Sequence, residues 1–155
     1  MKNTIGLDKS KSELLAQKLN LLLANYQMFY INARGFHWNI KGEKFFELHV
    51  KFEELYNDAV LKIDAIAERV LTLGHTPMHA YEDYLAQSTI RSAKEVSDGR
   101  ACMEHIVSGF QTLLEIEREI LALSDEAGDE GTNAQMSDYI TEQEKTVWMY
   151  NAFLS

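Results

Sequence analysis

Apolar residues recur at steps of three and four along four long stretches of the chain, which is the period of an amphipathic helix. These stretches span about residues 10–38, 44–73, 97–124 and 132–154. In the second stretch the apolar positions are Leu48, Phe52, Leu55, Ala59, Ile63, Ile66, Val70 and Leu73. The pattern therefore predicts four amphipathic helices that bury one face each.

The ends of these stretches predict how the helices are joined. Ser10-Lys11-Ser12-Glu13 and Thr132-Asn133-Ala134-Gln135 resemble capping boxes, so we expect helices to begin there. About residues 75–98 form the long connection between helices two and three, and residues 81–86 within it predict a short helix. One long crossover is typical of ferritin-like bundles. We therefore predict an all-α, ferritin-like four-helix bundle over residues 10–155, after a short N-terminal tail of residues 1–9.

Composition narrows the class of protein. The length fits one domain, and a hydrophobic share of 46% is enough for a real core. Because Cys102 is the only cysteine, no disulfide can form within the chain. The first residues contain no apolar leader segment, and no run approaches the roughly 20 apolar residues of a membrane helix. We therefore expect a cytoplasmic protein that does not cross a membrane.

Three acids on the second predicted helix have no basic residue at neighbouring helical positions: Glu53, Asp64 and Glu68. Asp64 and Glu68 are four residues apart, where like charges destabilise a helix by roughly 0.2–0.5 kcal/mol. A divalent cation would offset this repulsion. His49 lies on the same flank and His37 lies at the end of helix one; carboxylates with imidazoles suit iron, zinc or manganese.

The spacing of these residues favours a site shared between two chains. His49 and Asp64 are separated by 15 positions on one helix, roughly 22 Å at 1.5 Å per residue. Two antiparallel copies of the helix, related by a twofold axis near residues 56–58, would bring them together. The chain also lacks the Glu-x-x-His motif of ordinary di-iron bundles. We therefore predict an intersubunit metal site.

Four segments of the chain resemble the Dps family, the DNA-binding proteins from starved cells, also called mini-ferritins. They are residues 32–42 (NARGFHWNIKG), 45–49 (FFELH), 64–69 (DAIAER) and 144–149 (EKTVWM). The resemblance implies a hollow homo-oligomeric shell, a dodecamer built from twofold dimers. It also implies that the protein is a ferroxidase, which oxidises Fe²⁺ with hydrogen peroxide or oxygen, stores ferric mineral and protects against oxidative stress.

The resemblance assigns roles to particular residues. The implied iron ligands are His37, His49, Glu53, Asp64 and Glu68. The two histidines would come from one subunit, Asp64 and Glu68 from its twofold partner, and Glu53 would supply an additional acid. Trp38 matches an aromatic residue close to the site that intercepts oxidising equivalents. Four ligands, His37, His49, Asp64 and Glu68, would form the ferroxidase centre.

Charge separates the leading hypothesis from its alternatives. The chain has 15 basic and 24 acidic residues, a formal net charge of −9, and residues 1–12 lack a lysine-rich tail. Phosphate binding needs local positive charge, which disfavours DNA as a partner. The alternatives are a DNA-binding nucleoid protein with secondary metal binding, and a structural oligomer without the chemistry. The acid-rich stretch 115–130 is a candidate route for iron entry.

Overall fold

The computed structural model describes residues 1–155 and consists of helices joined by short turns and one long crossover. The helices are α1 (Lys9–Asn39), α2 (Phe45–Thr72), α3 (Tyr81–Gln87), α4 (Gly99–Ala127) and α5 (Glu130–Leu154). α1 packs against α2, α3 and α4, and α4 packs against α5. The short α3 lies in the crossover between α2 and α4. The predicted fold class, an all-α ferritin-like bundle with a short crossover helix, is confirmed.

The apolar stripe of α2 shows why the chain folds this way. Leu48, Phe52, Leu55, Ala59, Ile66, Val70 and Leu73 are all buried, and Ile63 is partly buried. Burying each large side chain stabilises the fold by about 1.5–3 kcal/mol relative to exposure. The opposite face of α2 is left exposed, and this face carries the acids that have no basic partner.

The two long helices whose starts were predicted from capping boxes begin earlier than expected. Asp8 caps α1, where its carboxylate accepts a hydrogen bond from the Lys11 N–H at 3.0 Å. Asp129 caps α5 and accepts from the Thr132 N–H at 3.0 Å. The predicted caps at Ser10 and Thr132 are therefore wrong. In both cases an aspartate three residues before the capped N–H satisfies a donor that would otherwise lack a partner.

The first eight residues fold back onto the start of α1. The Lys9 N–H donates to the carbonyl oxygen of Met1 at 2.9 Å. The Asn3 side chain accepts from the Leu7 N–H at 2.9 Å and donates to the Ser12 hydroxyl at 3.1 Å.

No helix of the protein has the length and apolar character needed to span a membrane.

Candidate metal centre

His37 and His49 face each other where α1 ends and α2 begins. Their rings are stacked with centroids 3.8 Å apart and planes 13° from parallel. The Nδ1 atom of His37 lies 2.7 Å from the carbonyl oxygen of His49. The Nδ1 atom of His49 in turn lies 2.7 Å from the carbonyl oxygen of His37. This reciprocal pair also ties the two helices together across the turn at residues 40–44.

The reciprocal hydrogen bonds determine which nitrogen of each ring can bind a metal. A carbonyl oxygen can only accept, so each Nδ1 must carry the hydrogen. In the neutral ring this leaves the Nε2 lone pair free to coordinate. In metal sites, a ligand histidine usually donates a hydrogen bond from the ring nitrogen that does not bind the metal, and this bond orients the ring. Sequence reasoning missed this bonding, because it depends on the geometry of the turn.

Asp64 and Glu68 form a second pair near the end of α2. Both are exposed, and neither has a basic group within salt-bridge distance. The hydrogen bond with Asp64, together with that residue's negative charge, raises the pKa of Glu68 above its ordinary value. Two neighbouring carboxylates repel each other, and a divalent cation bound between them would remove this repulsion.

The structure brings the predicted ligands together as two separate pairs. No three His, Cys, Asp or Glu side chains converge within one chain. His49 and Asp64 are 15 residues apart on a single continuous helix, roughly 22 Å at 1.5 Å per residue. Glu53 lies one turn beyond His49 and is exposed. Each pair supplies too few ligands to enclose an ion by itself.

Exposed side chains at steps of three and four form a continuous row along α2, which we call the α2 stripe. Its members are Phe46, Val50, Glu53, Asn57, Leu61, Asp64, Glu68 and Leu71. Four of the eight are apolar, and Phe46 and Leu61 are 79% and 71% exposed. Exposed apolar residues gathered along one face mark a protein–protein contact surface. Glu53, Asp64 and Glu68 therefore lie on a surface suited to contact another chain.

Aromatic groups surround the histidine pair. Trp38 is 63% exposed, and the Arg34 guanidinium lies over its ring at 4.8 Å from the centroid. Tyr56 packs against the His37 ring at 5.3 Å, and Tyr30 packs against Tyr56 at 6.0 Å. Sequence reasoning did not single out the tyrosines. Their spacing was a usable signal, because Tyr30 precedes His37 by seven residues and Tyr56 follows His49 by seven.

One acid of the stretch 115–130 lies in the middle of the bundle. Glu117 is fully buried, and its Oε2 accepts hydrogen bonds from the Tyr26 hydroxyl and the Gln143 amide, both at 3.1 Å. Burial raises the pKa of Glu117 to about 8, although these two donors oppose the shift. Asp129 is also buried and pairs with Arg69 at 2.6 Å. Neither acid is free to line a route for iron. The role of the stretch in iron entry stays a prediction for its five exposed acids, which are Glu115, Glu119, Asp125, Glu126 and Glu130.

The whole chain is similar to known proteins. The profile of the ferritin-like domain matches residues 16–155. A solved structure of a Dps protein from Vibrio cholerae O1, described as a member of a superfamily of ferritin-like diiron-carboxylate proteins, superposes with a TM-score of 0.98. It is 57% identical, over 99% of this chain and 97% of that one. The matching profile and the superposed fold thus define a ferritin-like protein.

Two further relatives narrow the class. An uncharacterised protein from Haemophilus influenzae is 56% identical over 151 residues, covering 97% of this chain and 94% of that one. A DNA protection during starvation protein from Porphyromonas gingivalis is 37% identical over 148 residues, which cover 96% of this chain and 93% of that one. The chain belongs to the Dps family of the ferritin-like superfamily.

Proposed function

We propose that this protein stores iron in a homo-oligomer and oxidises Fe²⁺ at sites shared between twofold-related chains. The observation that carries the proposal is that the candidate metal-binding side chains form two separate pairs, one of histidines and one of acids. One pair presents two Nε2 lone pairs, and the other presents two carboxylates without a cation. Nitrogen and oxygen donors of this kind suit Fe²⁺, which is here the substrate.

The α2 stripe supports the pairing of two chains. If two α2 helices pack antiparallel with Asn57 opposite its own copy, position 50 faces position 64 and position 46 faces position 68. His49 of one chain then lies beside Asp64 of the other. A twofold interface is self-complementary, so one contact creates two equivalent sites. The ligands in this arrangement are His37 and His49 from one chain with Asp64 and Glu68 from the other, and Glu53 is an additional ligand.

The chemistry follows from the donor set. Carboxylates favour Fe³⁺ over Fe²⁺, which makes loss of an electron easier. Hydrogen peroxide takes two electrons, one from each of two Fe²⁺ ions, and two protons from the solvent, and is reduced to two water molecules without releasing a hydroxyl radical. Oxygen is the other candidate oxidant. We expect Trp38, which is exposed and follows His37 directly, to intercept oxidising equivalents that escape. Ferric mineral would collect inside a dodecameric shell, in the cytoplasm, and its formation would lower oxidative stress.

DNA binding is the second candidate function, since several relatives are named DNA protection during starvation proteins. Two observations disfavour a direct contact with DNA. The net charge is −9, and the first eight residues contain one basic residue, Lys2, and fold back onto α1. We expect no gel shift of DNA at moderate salt. A clear shift would favour the nucleoid hypothesis.

Mixed assembly of two inactive variants tests the shared site. One variant combines His37→Ala with His49→Ala, and the other combines Asp64→Ala with Glu68→Ala. Each should oxidise Fe²⁺ slowly by itself. After unfolding and joint refolding, half of the twofold pairs are mixed, and each mixed pair contains one intact site. Stopped-flow absorbance should then recover roughly one quarter of the parent's fast phase.

The control is each variant refolded alone, with its assembly checked by sedimentation. No recovery in mixed shells would contradict the shared site. Equally slow oxidation in the parent and in both variants would favour a structural oligomer without the chemistry, whereas fast oxidation in both variants would locate the chemistry at other residues.

A further inference from the structure

Two tyrosines connect the histidine pair to the interior of the α1–α2 contact. The edge of one ring meets the face of the next between His37 and Tyr56, with centroids 5.3 Å apart and planes at 70°. Tyr56 and Tyr30 repeat this geometry at 6.0 Å and 76°. Both tyrosines are partly buried and pack against the hydrophobic core. The three rings therefore form an unbroken chain of contacts that starts at a proposed iron ligand.

Such a chain matters when a site holds a single Fe²⁺ ion. That ion provides one electron, whereas complete reduction of hydrogen peroxide requires two. Without a second donor, breaking the O–O bond would release a hydroxyl radical. A phenol in contact with His37 is close enough to supply the missing electron.

We propose that Tyr56 and Tyr30 form a redox relay that supplies this second electron; the relay rests on the proposed function. Fe²⁺ gives one electron, and the Tyr56 phenol gives one electron and one proton. The O–O bond of hydrogen peroxide breaks, and the products are Fe³⁺, one hydroxide ion, one water molecule and a neutral Tyr56 radical. An electron then passes from Tyr30 to Tyr56. Tyr30 loses its proton to water, and Tyr56 takes one up from water.

Arg34 favours Tyr30 as the end of the relay. Its Nη1 donates a hydrogen bond to the Tyr30 hydroxyl at 2.9 Å, which fixes the position of the phenol oxygen. Its guanidinium also lies over both the Tyr30 ring at 5.0 Å and the Trp38 ring at 4.8 Å. A cation at this distance opposes positive charge on either ring. A neutral Tyr30 radical avoids that repulsion, because electron and proton leave together.

Electron paramagnetic resonance of freeze-quenched samples tests the relay. The assembled protein is loaded without oxygen with fewer Fe²⁺ ions than sites and is mixed with hydrogen peroxide. We expect a tyrosyl radical signal in the parent and loss of most of it in Tyr56→Phe, with more hydroxyl radical captured by a spin trap. Tyr56→Phe keeps the ring that packs on His37. In Tyr30→Phe the signal should remain but decay faster.

Tyr81→Phe is the matched control. Tyr81 and Tyr84 form a similar edge-to-face pair at 6.5 Å and 75°, but neither contacts His37 or His49 within the chain. This variant should give the parent signal. An unchanged signal in Tyr56→Phe and Tyr30→Phe, or no tyrosyl signal in a parent that oxidises iron rapidly, would overturn the relay. Slow iron oxidation in the parent would instead overturn the proposed function.

Discussion

Glu117 shows how one side chain can make the stability of the bundle depend on pH. It lies fully buried among groups from three helices: Tyr26 from α1, Gln143 from α5 and its own neighbours on α4. Its Oε1 atom has no hydrogen-bond partner. A buried carboxylate with one unpaired oxygen is costly, so the folded state favours the protonated acid.

We expect Glu117→Gln to remove a pH-dependent loss of stability. The pKa of Glu117 rises from 4.5 to about 8 on folding, so the folded state binds its proton more tightly than the unfolded state does. Its contribution to stability is complete below the unfolded value and is lost as the pH rises to about 8. Glutamine is neutral at every pH. Thermal unfolding across this range should show the parent losing stability relative to the variant.

Glu115→Gln is the control for this experiment, since Glu115 lies on the same helix but is exposed. Its unfolding curves should follow those of the parent. Parallel pH profiles for the parent and Glu117→Gln would show that Glu117 does not titrate on unfolding.

At the scale of the helices, an ion pair fastens the end of α2 to the start of α5. Arg69 donates to Asp129 at 2.6 Å and to the Thr132 hydroxyl at 2.9 Å. The guanidinium lies flat against Gly131, where an added Cβ would be 2.7 Å from Nη2. Arg69 follows Glu68 directly, so this contact also fixes the part of α2 that carries the acid pair.

Gly131→Ala should therefore destabilise the protein although alanine favours helices. The new methyl group must displace the guanidinium, and we expect a loss of about 1–3 kcal/mol from overpacking and weakened pairing. Gly35→Ala is the control. Gly35 also lies inside a helix but has nothing within 4 Å of its added Cβ, so it should gain roughly 0.5–1 kcal/mol. Denaturant unfolding measures the free energy of unfolding of both variants. An equal gain in stability for Gly131→Ala and Gly35→Ala would contradict the close contact at Gly131.

The approximate extents of the helices were predictable because the apolar periodicity extends over many residues. Contacts between individual side chains were not predictable from that periodicity. The start of α5 was misplaced because a capping pattern at Thr132 competed with Asp129, and only the backbone distinguishes them. Glu117 was grouped with exposed acids, although Leu113 and Ile120 place it on the buried face of α4. The sequence indicated His37 and His49 as candidate ligands, but it did not predict the two hydrogen bonds that join them. The union of this pair with Asp64 and Glu68 stays a prediction.

At the scale of the whole molecule, the α2 stripe connects assembly to chemistry. Leu61 is the most exposed apolar residue in the middle of the stripe. Leu61→Glu should weaken the twofold contact, because the proposed pairing sets position 61 opposite Glu53 of the other chain and would place two like charges together, and iron oxidation should fall with the assembled fraction. Leu14→Glu is the control, since Leu14 is exposed on α1, outside the stripe. Sedimentation and stopped-flow absorbance measure the two effects. Full oxidation by a monomeric variant would contradict the link.

The distance between the two ligand pairs also has a consequence for timing. A newly made chain has half of each proposed centre at either end of α2, roughly 22 Å apart at 1.5 Å per residue. On the proposed arrangement it cannot begin to turn over iron until it meets its counterpart. Catalysis would then start with the twofold pair, which is the unit from which the proposed shell is built, so no single chain would release ferric product. Simple dilution of the chains would be enough to switch the reaction off.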